Sequence, residues 1–337
     1  MTEAVRYRRE RIDRGIKARS DSIFMLSSYR EMLYLVLPRV LPIAALLCLP
    51  LAMGGSYWGK VIFYACIFAL LALSWDLLAS VGLVSLGQAL FFGIGSYVAG
   101  GFNFYLKWPI FLTIPVATLG GALICTVLLV PVVRLRGVYF SMVTLIIPLL
   151  FDHLIETLGI LGGTHGLLSL TPFPNHWLAI YIAVIAVVGC LFGFRRMITE
   201  DYGLVLRGIK DDDRVVMAGG INIYWYKAQA IFIASAVGCF AGALMTHYYQ
   251  FVGRSAFALD NTILPLAGAV LGGPGSFAGA TLGTFILVPL SEALRALGGL
   301  RMALYGIILI AALAVLPEGI FHYIERKYHQ FERDVRI

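Results

Sequence analysis

The chain has 337 residues, 60% of them hydrophobic and only 13% charged, with a mean hydropathy of +0.85; soluble domains are about 45 to 50% apolar and about 25% charged. A soluble globular protein is excluded, and an all-α polytopic membrane protein is the class expected. In a soluble protein the net charge of +7 would point to nucleic acid, but in a membrane protein the distribution of charge sets topology, so no nucleic-acid partner is expected.

Residues 1–30 form a basic, apolar-poor arm carrying eight Lys and Arg, unlike the short apolar run of a secretory signal, and read as a cytosolic tail. A span needs about 20 mostly apolar residues. After a lead-in ending at Pro38 and Arg39, spans are expected at 40–56, 61–80, 84–105, 111–133, 138–158 and 176–194, with a linker at 159–175. A seventh span at 228–249 follows a polar interruption, and 258–273, 277–297 and 302–316 complete the set.

Charge fixes the count. Lys and Arg concentrate in the first 30 positions, between Arg195 and Lys227, and after Glu318, which the positive-inside rule assigns to the cytosol. Ten spans place both termini there and leave Lys60, Lys107, Arg254, Arg295 and Arg301 outside, whereas nine would export the tail. Splitting the chain at the linker then gives two five-helix halves of opposite orientation. The expected organisation is an arm and lead-in at 1–39, a first half at 40–158, the external linker at 159–175, a second half at 176–317 containing a cytosolic segment at 197–227, and a cytosolic tail at 318–337.

The polar interruption, YGLVLRGIKDDDRVVMAGGIN at 202–222, interleaves Arg207, Lys210 and Arg214 with Asp211, Asp212 and Asp213 and must face water. Leu204, Leu206, Ile209, Val215 and Val216 recur at roughly helical spacing, so one short amphipathic helix is expected, stopped by Gly219 and Gly220. It is either a solvated loop that fixes topology or a docking helix for a cytosolic partner. Gly-rich segments occupy corresponding places in the two halves, at 80–101 and 266–285, each with a Ser among glycines. Such paired interruptions point to a translocation path, with ordinary small-residue packing as the alternative.

Cys48, Cys66, Cys125, Cys190 and Cys239 each fall in an apolar run without metal-ligand or redox spacing and read as packing residues. Asp76 is expected near the inner end of its span, paired with Arg134 or Arg136 or acting in transport. Asp152, His153 and Glu156 cluster near an outer end, with Asp152 and Glu156 on one helix face, where they would contact a binding protein or line the mouth; His247 and Glu292, also near outer ends, are either functional groups or interfacial anchors. No catalytic constellation stands out, so an enzyme is not expected. No GxxxxGK[ST] loop is present; Gly272 to Gly275 lacks the Lys.

The runs LVSLGQALFFGIGSYVAG (83–100), RLRGVYFSMVTL (134–145), GGTHGL (162–167), the 202–222 segment, LAGAVLGGPGSFAGATLG (266–283) and LPEGI (316–320) occur in this order. Over about residues 61–320 the chain resembles the branched-chain amino acid permeases, more closely the LivM-type subunit of bacterial ABC importers, a group that also includes urea and short-chain amide permeases. The resemblance implies a type II ABC importer permease in the bacterial cytoplasmic (inner) membrane. It also implies a second, LivH-type permease subunit, two cytosolic ATP-binding subunits and a periplasmic or lipid-anchored solute-binding protein. ATP and Mg would sit on the partner ATPase, with no cofactor on this chain. The path residues would be Ser85, Gly87, Gln88, Gly93, Gly95, Gly272, Gly273, Gly275 and Ser276, and the glycines would allow close backbone approach. Gly203, Leu206, Arg207, Ile209, Lys210, Asp211, Asp212 and Gly220 would form the ATPase coupling segment, with Leu206 and Ile209 seated in the partner's groove. His165, the pair Trp75 and Asp76, and the triple Asp211 to Asp213 depart from the family pattern. A secondary transporter or channel is the remaining class; it would need no docking helix.

Overall fold

The computed structural model describes residues 7–11, 56–135, 137–294, 300, 306, 307, 310, 319–329 and 332–336. The expected spans at 40–56 and 302–316 lie outside or largely outside these residues, as do Cys48 and Arg136.

Two helices make the centre. Helix α1 (Ser56–Ser80) is apolar on every side and accordingly buried on every side, with Phe63, Phe68, Leu70 and Leu71 fully enclosed. After α2 (Gln88–Leu106), α3 (Ile110–Leu129), α4 (Val138–Leu158), α5 (His176–Thr199), α6 (Asp201–Asp211) and α7 (Asp213–Ala218) comes α8 (Ile223–Tyr249), which packs against α1, α2 and α3 together. Helices α9 (Asp260–Gly272) and α10 (Phe277–Ala293) form a hairpin laid against α1, and α11 (Ile320–His329) touches that hairpin. Helices α3, α4 and α5 turn apolar side chains outward, among them Leu119, Leu123, Met142, Ile146, Ile185 and Phe192, a surface suited to lipid. Among the described residues, 7 helices are long and apolar enough to cross a membrane, and α10 is a shorter apolar one.

The expectations hold best where an apolar run is bounded by glycine: α4 occupies the 138–158 predicted for it, between Gly137 and Gly159. Three expectations need correction. The third span does not start at Val84, because residues 83–87 are not helical and α2 begins at Gln88. Side chains take the N–H groups there: Leu86 donates to Thr144 Oγ1 at 3.0 Å and Gly87 to Ser85 Oγ at 3.1 Å. The polar segment is two helices and not one, because Asp212 leaves α6 in an extended conformation and its carboxylate caps α7 by accepting from Arg214 N at 2.8 Å. Finally, Gly219 is not left-handed (φ −74°); Gly220 alone takes that conformation (φ 80°).

The ends of the bundle differ. At one end, residues 159–175 are tied down by β2 (Leu167–Leu168) pairing antiparallel with β3 (Phe251–Val252) and by Asn103, which donates to Trp108 O and accepts from Thr171 N. The other, basic end carries Arg134, Arg195, Arg196, Arg207, Lys210, Arg214 and Lys227 beside α6 and α7. Strand β1 (Tyr7–Arg11) pairs antiparallel with β4 (Glu332–Arg336), which joins the two tails of the chain; the register sets Arg9 opposite Asp334, Glu10 opposite Arg333 and Arg11 opposite Glu332.

Candidate functional site

Three consecutive residues of α1 hold the segment leading into α2 and the turn between α9 and α10. Ser74 Oγ donates to Gln88 Oε1 at 3.0 Å, and Trp75 Nε1 donates to the Ser85 carbonyl at 2.9 Å. Asp76 Oδ1 accepts from Gly275 N at 2.6 Å. Ser74, Asp76, Ser85 and Gln88 are fully buried. Ala89 N adds a bond to Thr262 Oγ1 at 3.0 Å, so α9 also meets the start of α2. Of the partners expected for Asp76, Arg134 makes no ion pair with it among the described residues and Arg136 lies outside them; a backbone N–H from the turn between α9 and α10 holds the carboxylate. Asp76 Oδ2 and Gln88 Nε2 have no hydrogen-bond partner among the described residues.

The predicted path residues divide. Ser85, Gly87, Gln88, Gly275 and Ser276 gather around or beside this clamp; Ser276 caps α10 by accepting from Gly279 N at 3.2 Å, and a Cβ on Gly87 would meet Thr144 O at 2.9 Å. Gly93 and Gly95 lie elsewhere, where a Cβ would collide with the Phe257 ring and with the Cys239 backbone of α8 respectively. Gly272 packs on Gly279 across the hairpin, and Gly273 turns it with φ 114°. Close approach is wrong for Gly275: a Cβ there meets nothing within 4 Å, and the glycine is needed for its φ of 85°. The signal for Ser74 and Trp75 was absent from spacing, since their partners are 14 and 10 residues away in a different segment.

A cavity of about 700 Å³ opens among α1, α2, α8, α9 and α10, with Phe92, Ser96, Met245, Leu264 and Val288 in its wall and Lys60, Asp260 and Glu292 among its charged groups. That size suits a small solute.

At the basic end, α6 and α7 are fastened to the bundle. Leu206 and Ile209 are buried with Val81, Ile223 and Ala230 of this same chain, which corrects the expectation that they seat in a partner. Gly203 is buried too, its missing Cβ leaving room for the Ile198 backbone. Lys227 Nζ and Asp213 Oδ2, 2.9 Å apart and nearly enclosed, tie α7 to α8. Burial pushes the Tyr202 phenol up to about 12, beside the Tyr226 ring. Facing solvent are Arg207, Lys210, Asp211, Asp212 and Gly220, together with the apolar Leu204 (72% exposed) and Val215 (68%).

At the opposite end, Asp152 and Glu156 do share a face, and their partner, unforeseen from the sequence, is Arg254. Its Nε and NH2 donate to the two Asp152 oxygens at 2.8 and 3.0 Å, and NH1 lies 2.7 Å from Glu156 Oε1. His247 is no interfacial anchor but fully buried. Its Nδ1 lies 3.0 Å from the Thr171 carbonyl and must donate to it, so in the neutral ring Nε2 accepts from the Thr113 hydroxyl at 2.8 Å. Glu292 takes a bond from Tyr57 at the cavity rim.

The description "branched-chain amino acid transport system / permease component" matches residues 57–313. The high-affinity branched-chain amino acid transport system permease protein LivM of Escherichia coli (strain K12) is 27% identical over 273 residues, covering 71% of this chain and 64% of that protein. The same-named protein of Salmonella typhimurium (strain LT2) is 26% identical with the same coverage. A probable branched-chain amino acid transport permease protein LivM of Methanocaldococcus jannaschii is 26% identical over 238 residues, covering 62% of this chain and 67% of that protein. The chain thus spans 64% of the length of the first two relatives. No solved structure matches it.

Proposed function

Because the chain belongs to the branched-chain amino acid transport permease family over residues 57–313, we propose that it is the LivM-type membrane subunit of an ATP-driven importer for branched-chain amino acids. It forms the translocation path in a bacterial inner membrane as ten helices in two inverted halves. It works with a LivH-type permease, two ATP-binding subunits and a solute-binding protein. The antiparallel pairing of the two tails supports an even number of crossings with both termini on one side, and the basic end supports the cytosol as that side.

The observation that carries the reading is the pair α6 and α7. It is locked to α8 and to Val81 in the turn after α1 through the Leu206 and Ile209 cluster and the Lys227–Asp213 bridge, yet it shows Leu204 and Val215 to solvent. A rigid mount with an exposed apolar tip is what a helix needs to receive motion from a separate ATPase. Arg207, Lys210, Asp211 and Asp212 around it supply charge that selects the partner.

Burying Leu204 in a partner groove contributes about 1.5 to 3 kcal/mol. Leu204→Asp and Val215→Asp are therefore expected to abolish co-purification of the ATPase while leaving the chain in the membrane at native abundance. Ile209→Asp should instead lower abundance, because that side chain belongs to the chain's own core. Unchanged co-purification with both Leu204→Asp and Val215→Asp would refute the docking surface. Urea and short-chain amides are the alternative cargo, and competition of each against labelled leucine uptake separates them.

A further inference from the structure

We propose that Ser74, Trp75 and Asp76 form the gate that closes the 700 Å³ cavity toward the basic end of the bundle, an inference that rests on the cavity being part of the transport path.

Four helices line the cavity at one end and meet the clamp or its held segments at the other. Helix α1 lines it with Tyr57, Lys60, Val61 and Tyr64 and carries the clamp ten residues further on. Helix α2 starts at Gln88, the Ser74 partner, and lines the cavity with Phe92 and Ser96. Helix α9 lines it with Asp260, Asn261, Ile263 and Leu264 and ends just before Gly275, the Asp76 partner, while α10 starts at Phe277 and lines it with Val288, Ser291 and Glu292.

What the clamp holds is non-helical backbone within the bundle, tolerated at membrane depth only where it is enclosed by protein or borders a watery passage. Residues 83–87 and the turn around Gly275 are both of this kind. Three hydrogen bonds from one turn of one helix fix both, and the space beside Gly275 is open. Asp76 Oδ2 and Gln88 Nε2 go without partners among the described residues while the clamp is closed. Burial of such groups is costly, so their hydration on opening offsets part of the loss of the three bonds.

The clamp also stands next to the element that moves it. Val81 packs with Leu206 and Ile209, and a Cβ on Gly82 would lie 3.3 Å from Lys210 Cα, so α6 grips the turn that follows α1, within six residues of Asp76. Displacement of α6 therefore reaches the clamp through this short turn and the last turn of α1.

The test needs no solute. Ile263, a half-exposed residue of the cavity wall, is changed to Cys in a background without other cysteines. In sealed vesicles of each orientation, with the full complex assembled, a membrane-impermeant maleimide should label it from one side only. Adding Asp76→Leu should open the second side, with labelling there faster by at least tenfold. Asp76→Asn, whose amide oxygen still accepts from Gly275 N, should restore one-sided labelling, which a merely structural loss would not do. Trp75→Phe, which removes only the donor to Ser85, should also open the second side and decides the matter should Asp76→Leu fail to accumulate. One-sided labelling in both Asp76→Leu and Trp75→Phe, or two-sided labelling in the parent, would overturn the gate. If labelling behaves as expected but the complex accumulates no branched-chain amino acid, the cargo assignment fails and the gate stands.

Discussion

Single side chains set the register of distant segments in this chain. Arg254 illustrates the point: its planar fork takes both oxygens of Asp152 and reaches Glu156 one turn on, pinning the end of α4 to the loop before α9. Removing the guanidinium leaves two carboxylates facing each other at a part-buried site. Arg254→Ala is expected to destabilise the detergent-solubilised protein, read as a lower thermal midpoint. Arg254→Lys should recover only part, since an ammonium cannot serve both carboxylates in fork geometry. An unchanged midpoint in Arg254→Ala would show that the cluster contributes nothing to holding α4. The shared face of Asp152 and Glu156 was legible from their spacing of four. Arg254 was not, being 102 residues from Asp152 in sequence. Asp76 likewise looked like half of an ion pair, because sequence shows charges and hides the backbone N–H that satisfies one.

Among elements, the pair α6 and α7 shows how an amphipathic pattern is read correctly and its partner wrongly. The apolar spacing foretold a buried face containing Leu206 and Ile209, and that face exists, but α8 and Val81, just past α1, of the same chain cover it. Periodicity reports that a face is apolar, not which surface covers it. The Lys227–Asp213 bridge completes the mount, and an ion pair this enclosed costs about 3 to 5 kcal/mol when one partner is lost. Asp213→Ala should therefore release α7, seen as new protease cleavage near residue 213 and reduced ATPase binding. Asp213→Leu combined with Lys227→Met should restore protection, because an apolar pair of similar volume leaves no buried charge. Cleavage of the double variant at the rate of Asp213→Ala would argue that the charges do more than fasten. The irregular start of α2 escaped the sequence for a related reason: the 83–100 run is apolar enough for a helix, and its break depends on Thr144, on Ser85 and on Trp75 reaching across from α1.

At the scale of the molecule, the buried centre made by α1 and α8 carries a cavity toward one end, a clamp toward the other, and a helix pair mounted beside the clamp. Membrane class, the places of most described spans and the basic end could be read from hydropathy and charge, since those follow from composition along the chain. The cavity and the clamp could not, since both arise only when α1, α2, α9 and α10 converge. Together these parts support the proposal of a permease whose path is worked from its cytosolic side by a separate ATPase. The direct test is ATP-dependent accumulation of labelled leucine in vesicles holding the complete complex, comparing the native chain with Leu204→Asp. The native complex should accumulate leucine only with ATP, and Leu204→Asp should lower the rate at least tenfold with the chain still at native abundance. Leucine accumulation that needs no ATP, or that Leu204→Asp leaves untouched, would contradict the account.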